Sequence, residues 1–493
     1  MRKRLRLWIW LPFLTALCAA PSASAMPVRP AAVPSPFAAM STDVAAAAAS
    51  APTCSPGGPP VCFMPAQLRQ AYDFPNGSGA PTGAGQTIVI FTAYGSPDIR
   101  QDLAAFDAEN GLPAPPSFTV IPQVTPTGKS GSGATWNWAL ETSLDVEYAH
   151  AMAPGASIVL GVAVNDDSSN LAQVEREVLP NYPGAIVVNA FGQDESGAAS
   201  DPDFTSTLTQ LFAANVAQGG TIVASAGDFG ASNGTELEAA AGFSVSPSAM
   251  ASFPASSPLV LAVGGTMGSP NLDSLWRAPG TYGGEQAWNE GFAATGGAPS
   301  AVYAAGDWQK NVTGASMRIE PDVSYYASIR GGVVVVLSCF PGANGAIAVC
   351  DPTLGRHRLV GGTSAGVPQW AAIVALANEL RGRQGKLPLG RTTPLLYALA
   401  ADKSTYRQDF HDVTSDDNRL DLTFYGLSGL SSFAFSATSG YDVPTGLGTP
   451  DVARLIHDLA ERDARGLRDV GGLYGDTTAA AGRGSHHVLS PGG

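Results

Sequence analysis

The sequence predicts an α/β protein built on a mostly parallel sheet with helices on both faces. Short apolar runs rich in Val, Ile and Ala recur along the chain, at 86–92, 157–162, 185–189, 221–225, 259–263 and 333–337. Between them lie stretches with apolar residues at helical spacing, at 98–110, 136–152, 203–218 and 364–380. The runs are apolar throughout rather than alternating, which suits strands covered on two faces, and strand–helix alternation is the signature of parallel connections. No linker divides residues 63–460, so this is read as one large domain, and no internal repeat is found.

The ends of the chain differ from the middle. Arg2, Lys3, Arg4 and Arg6 precede an apolar run over 7–20 and then Ala23-Ser24-Ala25, the pattern of a secretory signal peptide covering 1–25. The apolar run is shorter than a membrane span and holds Pro12. Residues 26–62 are rich in Pro, Ala and Ser and read as a flexible leader, and residues 463–493, with His486 and His487, read as a flexible C-terminal tail. The 493-residue chain has a formal charge of −14, and removing the four basic residues of the signal takes it to about −18. Such an acidic surface argues against nucleic acid or anionic lipid as partner and suits a soluble exported monomer.

Beyond the signal, Cys54, Cys62, Cys339 and Cys350 are expected to form two disulfides in an oxidising compartment. Local pairing, Cys54–Cys62 and Cys339–Cys350, is preferred among the three connectivities. A metal site on these thiols is disfavoured, because no CxxC spacing or neighbouring His accompanies them.

Residues 361–370 read Gly-Gly-Thr-Ser-Ala-Gly-Val-Pro-Gln-Trp, small residues ahead of a helix. Ser364 stands where a nucleophile would, beside a helix start with free N–H groups; equally, Thr363 or Ser364 could be a plain N-cap. Glu141 and Asp145 are four apart in a helical stretch and therefore share a face, either as a solvated surface pair or as two carboxylates forced together so that one pKa rises. His150, nine positions from Glu141, turns to the opposite face. His357, between Arg356 and Arg358, is expected in an exposed loop and His411 adjoins an acidic loop, so a carboxylate is the expected base for Ser364. Asp228 follows the 221–225 strand in Ser-Ala-Gly-Asp, where a strand-end turn and a site at the carboxyl edge of a sheet are both natural.

Taken together these blocks resemble the sedolisins, the serine-carboxyl peptidases. The resemblance rests on Glu141-Thr-Ser-Leu-Asp145, Ser225-Ala-Gly-Asp228, Phe253-Pro-Ala-Ser-Ser-Pro258, Ala262-Val-Gly-Gly-Thr266, Pro321-Asp-Val-Ser324, Gly362-Thr-Ser-Ala365 and Gly440-Tyr-Asp-Val-Pro-Thr-Gly-Leu-Gly448, in the family's order. It spans roughly 63–460 and implies a subtilisin-like fold and a secreted endopeptidase working on protein or peptide substrates in acid. By motif position Ser364 would be the nucleophile, Glu141 its base and acid, Asp145 the carboxylate orienting Glu141, and Asp228 the oxyanion-hole residue. A glutamate of ordinary pKa about 4.3 can take and return a proton in acid, where a histidine would stay charged. The family also implies one structural calcium ion, held by Asp412 and Asp442 with the carbonyls of Val413, Thr438 and Gly440.

The chain departs from the pattern in three places. Thr438 stands where the family usually has Gly. Asn189-Ala-Phe-Gly192 replaces a turn that more often contains Ser. Only the Pro/Ala-rich stretch separates the signal from the catalytic region, where sedolisins usually carry a large pro-region. That last departure motivates a rival reading, a catalytically idle peptide-binding protein on a peptidase scaffold; a third is a calcium-stabilised surface module. Asn76, Asn233 and Asn311 head N-x-S/T sequons.

Overall fold

The computed structural model describes residues 62–462 apart from 241, 243–246, 269–281, 352–356 and 431, together with residues 29–30 and 33–34. The signal segment, Cys54 and the C-terminal tail lie outside the described residues.

In chain order, two short strands come first, β1 (Arg29–Pro30) and β2 (Val33–Pro34). Then follow β3 (Thr87–Ala93), α1 (Ile99–Asn110), β4 (Phe118–Pro122), α2 (Thr135–Met152), β5 (Ser157–Ala163) and α3 (Ser168–Val178). Next are β6 (Ile186–Asn189), β7 (Phe191–Asp194), α4 (Pro202–Ala217), β8 (Thr221–Ser225), β9 (Ser252–Phe253), β10 (Val260–Gly268) and β11 (Glu285–Ala287). The last third holds β12 (Val323–Tyr326), β13 (Val333–Val336), β14 (Cys339–Pro341), β15 (Ile347–Cys350), β16 (His357–Gly361), α5 (Gly366–Arg383) and α6 (Val452–Glu461).

The main sheet has the order β11-β10-β8-β6-β3-β5-β4, and β12 also pairs with β10. Every pairing in it is parallel except β10 with β11. Side chains alternate between two cores, as the pleat requires. Ile88, Ile90, Ile158 and Val188 enter the core shared with α2 and α5, whereas Val89, Phe91, Val159 and Val187 enter the core shared with α3 and α4. This double burial is why the strands are apolar without alternation.

One expectation needs correction. Residues 333–336 are a strand, but not of the main sheet: β13 pairs antiparallel with β16, which pairs antiparallel with β2. An apolar run signals a buried strand and says nothing about which sheet buries it. Within the leader, β1 and β2 pair with β7 and β16; the rest of residues 26–61 lies outside the described residues. Extended Pro-rich backbone cannot build its own core, yet its carbonyls can still join an exposed edge.

The Cys339–Cys350 disulfide is present and closes the β14–β15 hairpin, where the two residues are cross-strand partners. Cys62 is also disulfide-bonded, and the expected pairing with Cys54 falls outside the described residues.

Candidate active site

The carboxyl ends of the parallel strands β6 and β8 lead into Ala190 and into Ala226-Gly227-Asp228, and the site assembles there. Loops at that edge carry backbone and side-chain groups that the sheet itself holds rigid, which is why α/β folds place chemistry at this end.

Helix α2 supplies two carboxylates. It packs on the sheet beside α5, and nearly its whole circumference is buried, including Glu141 and Asp145 at 0% exposure. The solvated-pair reading is therefore excluded. Both oxygens of Asp145 lack a hydrogen-bond partner among the described residues, and burial pushes its carboxyl well above the usual carboxylate range. A buried carboxyl with no hydrogen bond to favour its charged form is held neutral through the acid range, and perturbed acids of this kind gather at functional sites.

Ser364 sits on a tight turn between β16 and α5. Gly362 takes φ 105°, a left-handed conformation that a side chain would strain, and lets the chain reverse into the short 3-10 turn Thr363–Ala365. Gly366 then brings α5 against the sheet: a Cβ there would lie 2.7 Å from both Tyr325 Cβ and Val263 Cγ1. The N-cap reading fails, since neither hydroxyl caps α5. Instead the Ser364 hydroxyl donates to the Ala190 carbonyl at 3.1 Å, and the turn packs against α2. Pro368 falls in the first turn of α5, where no intrahelical N–H bond is lost.

Asp228 meets this turn directly. Its Oδ1 accepts from the Thr363 N–H and from the Thr363 hydroxyl, each at 2.8 Å, while Thr363 Oγ1 accepts from the Gly227 N–H at 3.2 Å. Its Oδ2 is buried without a partner among the described residues. Burial pushes the carboxyl up to about 7, against the two Thr363 bonds that favour its charge. Below that pH the group carries a proton; with Oδ1 already occupied as an acceptor, the proton resides most favourably on Oδ2, where it can be donated.

Thr363 and the Ala190 carbonyl are contacts of the candidate site that sequence reasoning did not single out. Thr363 was visible only as a cap candidate, and a backbone carbonyl leaves no sequence signal. The histidines lie elsewhere: His150 Nε2 contacts the Pro113 carbonyl at 2.7 Å and Asp107 at 3.4 Å, His357 pairs with Glu109, and His411 stacks on Tyr282.

The residues expected to hold calcium converge on the 438–442 turn. Asp412 accepts from the Gly440 N–H at 3.0 Å, from Ser439 Oγ at 3.1 Å and from the Tyr406 hydroxyl at 3.1 Å. Asp442 accepts from the Thr438 N–H at 2.7 Å and from the Thr445 N–H and hydroxyl at 2.9 Å. Burial, and after it the hydrogen-bond balance and the Asp412 charge, leave the Asp442 carboxyl up at about 6. Among the described residues the carbonyls of Val413, Thr438 and Gly440 accept no hydrogen bond. Two carboxylates tied to one turn, with three carbonyls that accept no hydrogen bond, are oxygen donors of the kind a hard cation takes, so the chemistry of the residues is compatible with the ion. Thr438 is outside the left-handed region, so replacing the family's glycine there introduces no strain.

No family model matches the chain. It is similar to kumamolisin of Bacillus sp. (strain MN-32), 31% identical over 410 residues that cover 81% of this chain and 64% of kumamolisin. It is also similar to tripeptidyl-peptidase 1 of Dictyostelium discoideum, 28% identical over 333 residues that cover 66% of this chain and 48% of that relative. Among solved structures, Pseudomonas sedolisin (serine-carboxyl proteinase) complexed with two molecules of pseudo-iodotyrostatin superposes with a TM-score of 0.62 at 26% identity, covering 80% of this chain and 97% of that one. The chain belongs to the sedolisin family, and its α/β architecture is the sedolisin, subtilisin-like fold. It spans only part of the length of such relatives, 64% of kumamolisin and 60% of Pseudomonas sp. (strain 101) sedolisin.

Proposed function

We propose that this protein is a secreted serine-carboxyl endopeptidase that cleaves peptide bonds in acid, acting as a monomer on proteins or peptides. Ser364 is the nucleophile. Glu141 takes the Ser364 proton as Oγ attacks the scissile carbonyl, then returns it to the departing amine; a water repeats the cycle on the acyl-enzyme. Asp145, held neutral by burial one helical turn from Glu141, tunes its proton affinity. Asp228, protonated, donates from Oδ2 to the oxyanion.

The observation that carries this reading is the state of Asp228. One oxygen is tied to the residue preceding the nucleophile and the other is buried and unused, an arrangement that works as a donor only in acid. Export is supported by the pattern of residues 1–25 and by the disulfides.

A calcium ion is part of the proposal. Asp412 and Asp442 would hold it with the carbonyls of Val413, Thr438 and Gly440, and it would supply charge neutralisation that locks the 438–442 turn to Asp412.

The deciding experiment is digestion of a long unstructured polypeptide across the acid and neutral range, with parent and Ser364→Ala. Cleavage at internal bonds in acid, lost in the variant with its fold intact, is expected. Unchanged turnover in Ser364→Ala overturns the nucleophile assignment. Release of tripeptides alone overturns the endopeptidase assignment in favour of the tripeptidyl mode named for one relative.

A further inference from the structure

Helix α3 buries a carboxyl on the face of the sheet opposite α2 and α5. Glu175 sits there at 0% exposure, on the helix that gives Leu171, Val174 and Val178 to the core shared with α4. Asn189, the last residue of β6, is also at 0% exposure. It is two places on from Val187 and so points into the same core. Its Nδ2 donates to Glu175 Oε1 at 3.2 Å. The two remaining atoms of the pair, Glu175 Oε2 and Asn189 Oδ1, are buried with no partner among the described residues.

With the carboxyl ionised, both of those atoms are acceptors and neither can serve the other. A proton on Oε2, donated to Oδ1, uses all four atoms in the two-bond ring that a carboxylic acid and an amide form. Burial pushes the Glu175 carboxyl well above the usual carboxylate range, against the Asn189 bond that favours its charge, so the proton is held. Such a pair is weak evidence for stability, because apolar side chains of similar size do as well or better in a core; what it adds is a fixed arrangement.

The arrangement fixed here is that of Ala190. It is the single residue between β6 and β7, and its carbonyl accepts the Ser364 hydroxyl at 3.1 Å. Asn189 is held through its backbone by its register with Ala224 of β8 and through its side chain by Glu175, which leaves the next carbonyl little freedom. We infer that Glu175 is a positioning residue: acting through Asn189 from the far face of the sheet, it fixes the Ala190 carbonyl and so the resting place of the Ser364 hydroxyl. The Asn189-Ala-Phe-Gly192 turn, a departure from the family's pattern, thereby acquires a role. That this placement governs catalysis rests on the peptidase reading; that it governs the hydroxyl does not.

The test compares the full chain with two variants. Glu175→Met combined with Asn189→Leu replaces the pair by apolar side chains of similar size. This chain is expected to keep or raise its urea midpoint, yet to lose the Ser364–Ala190 hydrogen bond in its crystal structure. Its kcat on one peptide in acid is expected to fall by up to about 100-fold with KM unchanged, the loss that a misplacement of about 1 Å brings. Glu175→Gln is expected to keep both the bond and the parental kcat, because an amide offers Asn189 the same acceptor and donor as the neutral carboxyl. An intact Ser364–Ala190 bond or a parental kcat in the doubly substituted chain overturns the inference. A midpoint well below the parent's overturns it too, since the pair would then only support the fold, as does a Glu175→Gln chain impaired as far as the doubly substituted one. A parent that cleaves nothing removes the peptidase reading and leaves the crystal structures to decide the positioning; a parent that cleaves in acid while the bond persists in the doubly substituted chain does the reverse.

Discussion

Replacing Asp228 by asparagine separates the oxyanion-hole role from a structural one, because the two make different demands on pH. Asparagine keeps an acceptor for Thr363 and puts an N–H donor where Oδ2 stands, but it never ionises. In the parent the carboxyl is fully buried and raised from an ordinary 3.8 to about 7 by that burial. The native state therefore holds a proton that the unfolded chain gives up, over the window from about pH 4 to about pH 7. Stability from this group is full below the lower value and is lost as pH rises through the upper one. A shift of roughly three units corresponds to about 4 kcal/mol at 1.36 kcal/mol per unit. Asp228→Asn, compared with its parent in a Ser364→Ala background, should thus gain up to about 4 kcal/mol of relative stability between pH 4 and 7. Urea midpoints at several pH values measure the gap, since other titrating groups are common to both chains. A gap that stays constant with pH would refute the claim that Asp228 is neutral in the acid native state. In the active chain, Asp228→Asn should retain cleavage better than Asp228→Ala, for which loss of the donor costs on the order of 100- to 1000-fold in kcat.

Further outcomes follow from the same geometry. Glu141→Gln should lower kcat on the order of 100- to 10,000-fold in acid with little change in KM, because it removes proton transfer and leaves the cleft intact; steady-state kinetics on one peptide checks this, and a near-parental kcat counts against the base assignment. Thorough chelation, followed by calorimetry, should lower the melting temperature, and added calcium should restore it. Asp442→Asn should blunt that response, whereas an identical melting temperature with and without chelator would remove calcium from the structure.

Much of this was legible in the sequence. The strands at 87–93, 157–163, 186–189 and 221–225 and helix α2 show themselves because periodicity is local: it depends on neighbours two, three and four positions away. The i,i+4 spacing of Glu141 and Asp145 and the small residues around Ser364 are local facts of the same kind. Residue order also showed the family, because its blocks run in series along the chain.

What only the tertiary structure decided depends on residues far apart in the chain. Whether Glu141 and Asp145 face water or the interior is decided by the packing of α2 against α1, β3 and α5, and that burial is what raises the Asp145 carboxyl. The same holds for Asp228 and Thr363, hydrogen-bonded across 135 positions, and for Ser364 and Ala190 across 174. The membership of β13 in a separate antiparallel sheet and the pairing of β1 and β2 with β7 and β16 are likewise choices of partner. Spacing along a chain determines which face a side chain takes; which surface meets that face, and so whether a carboxyl keeps its proton, is determined by what packs against it.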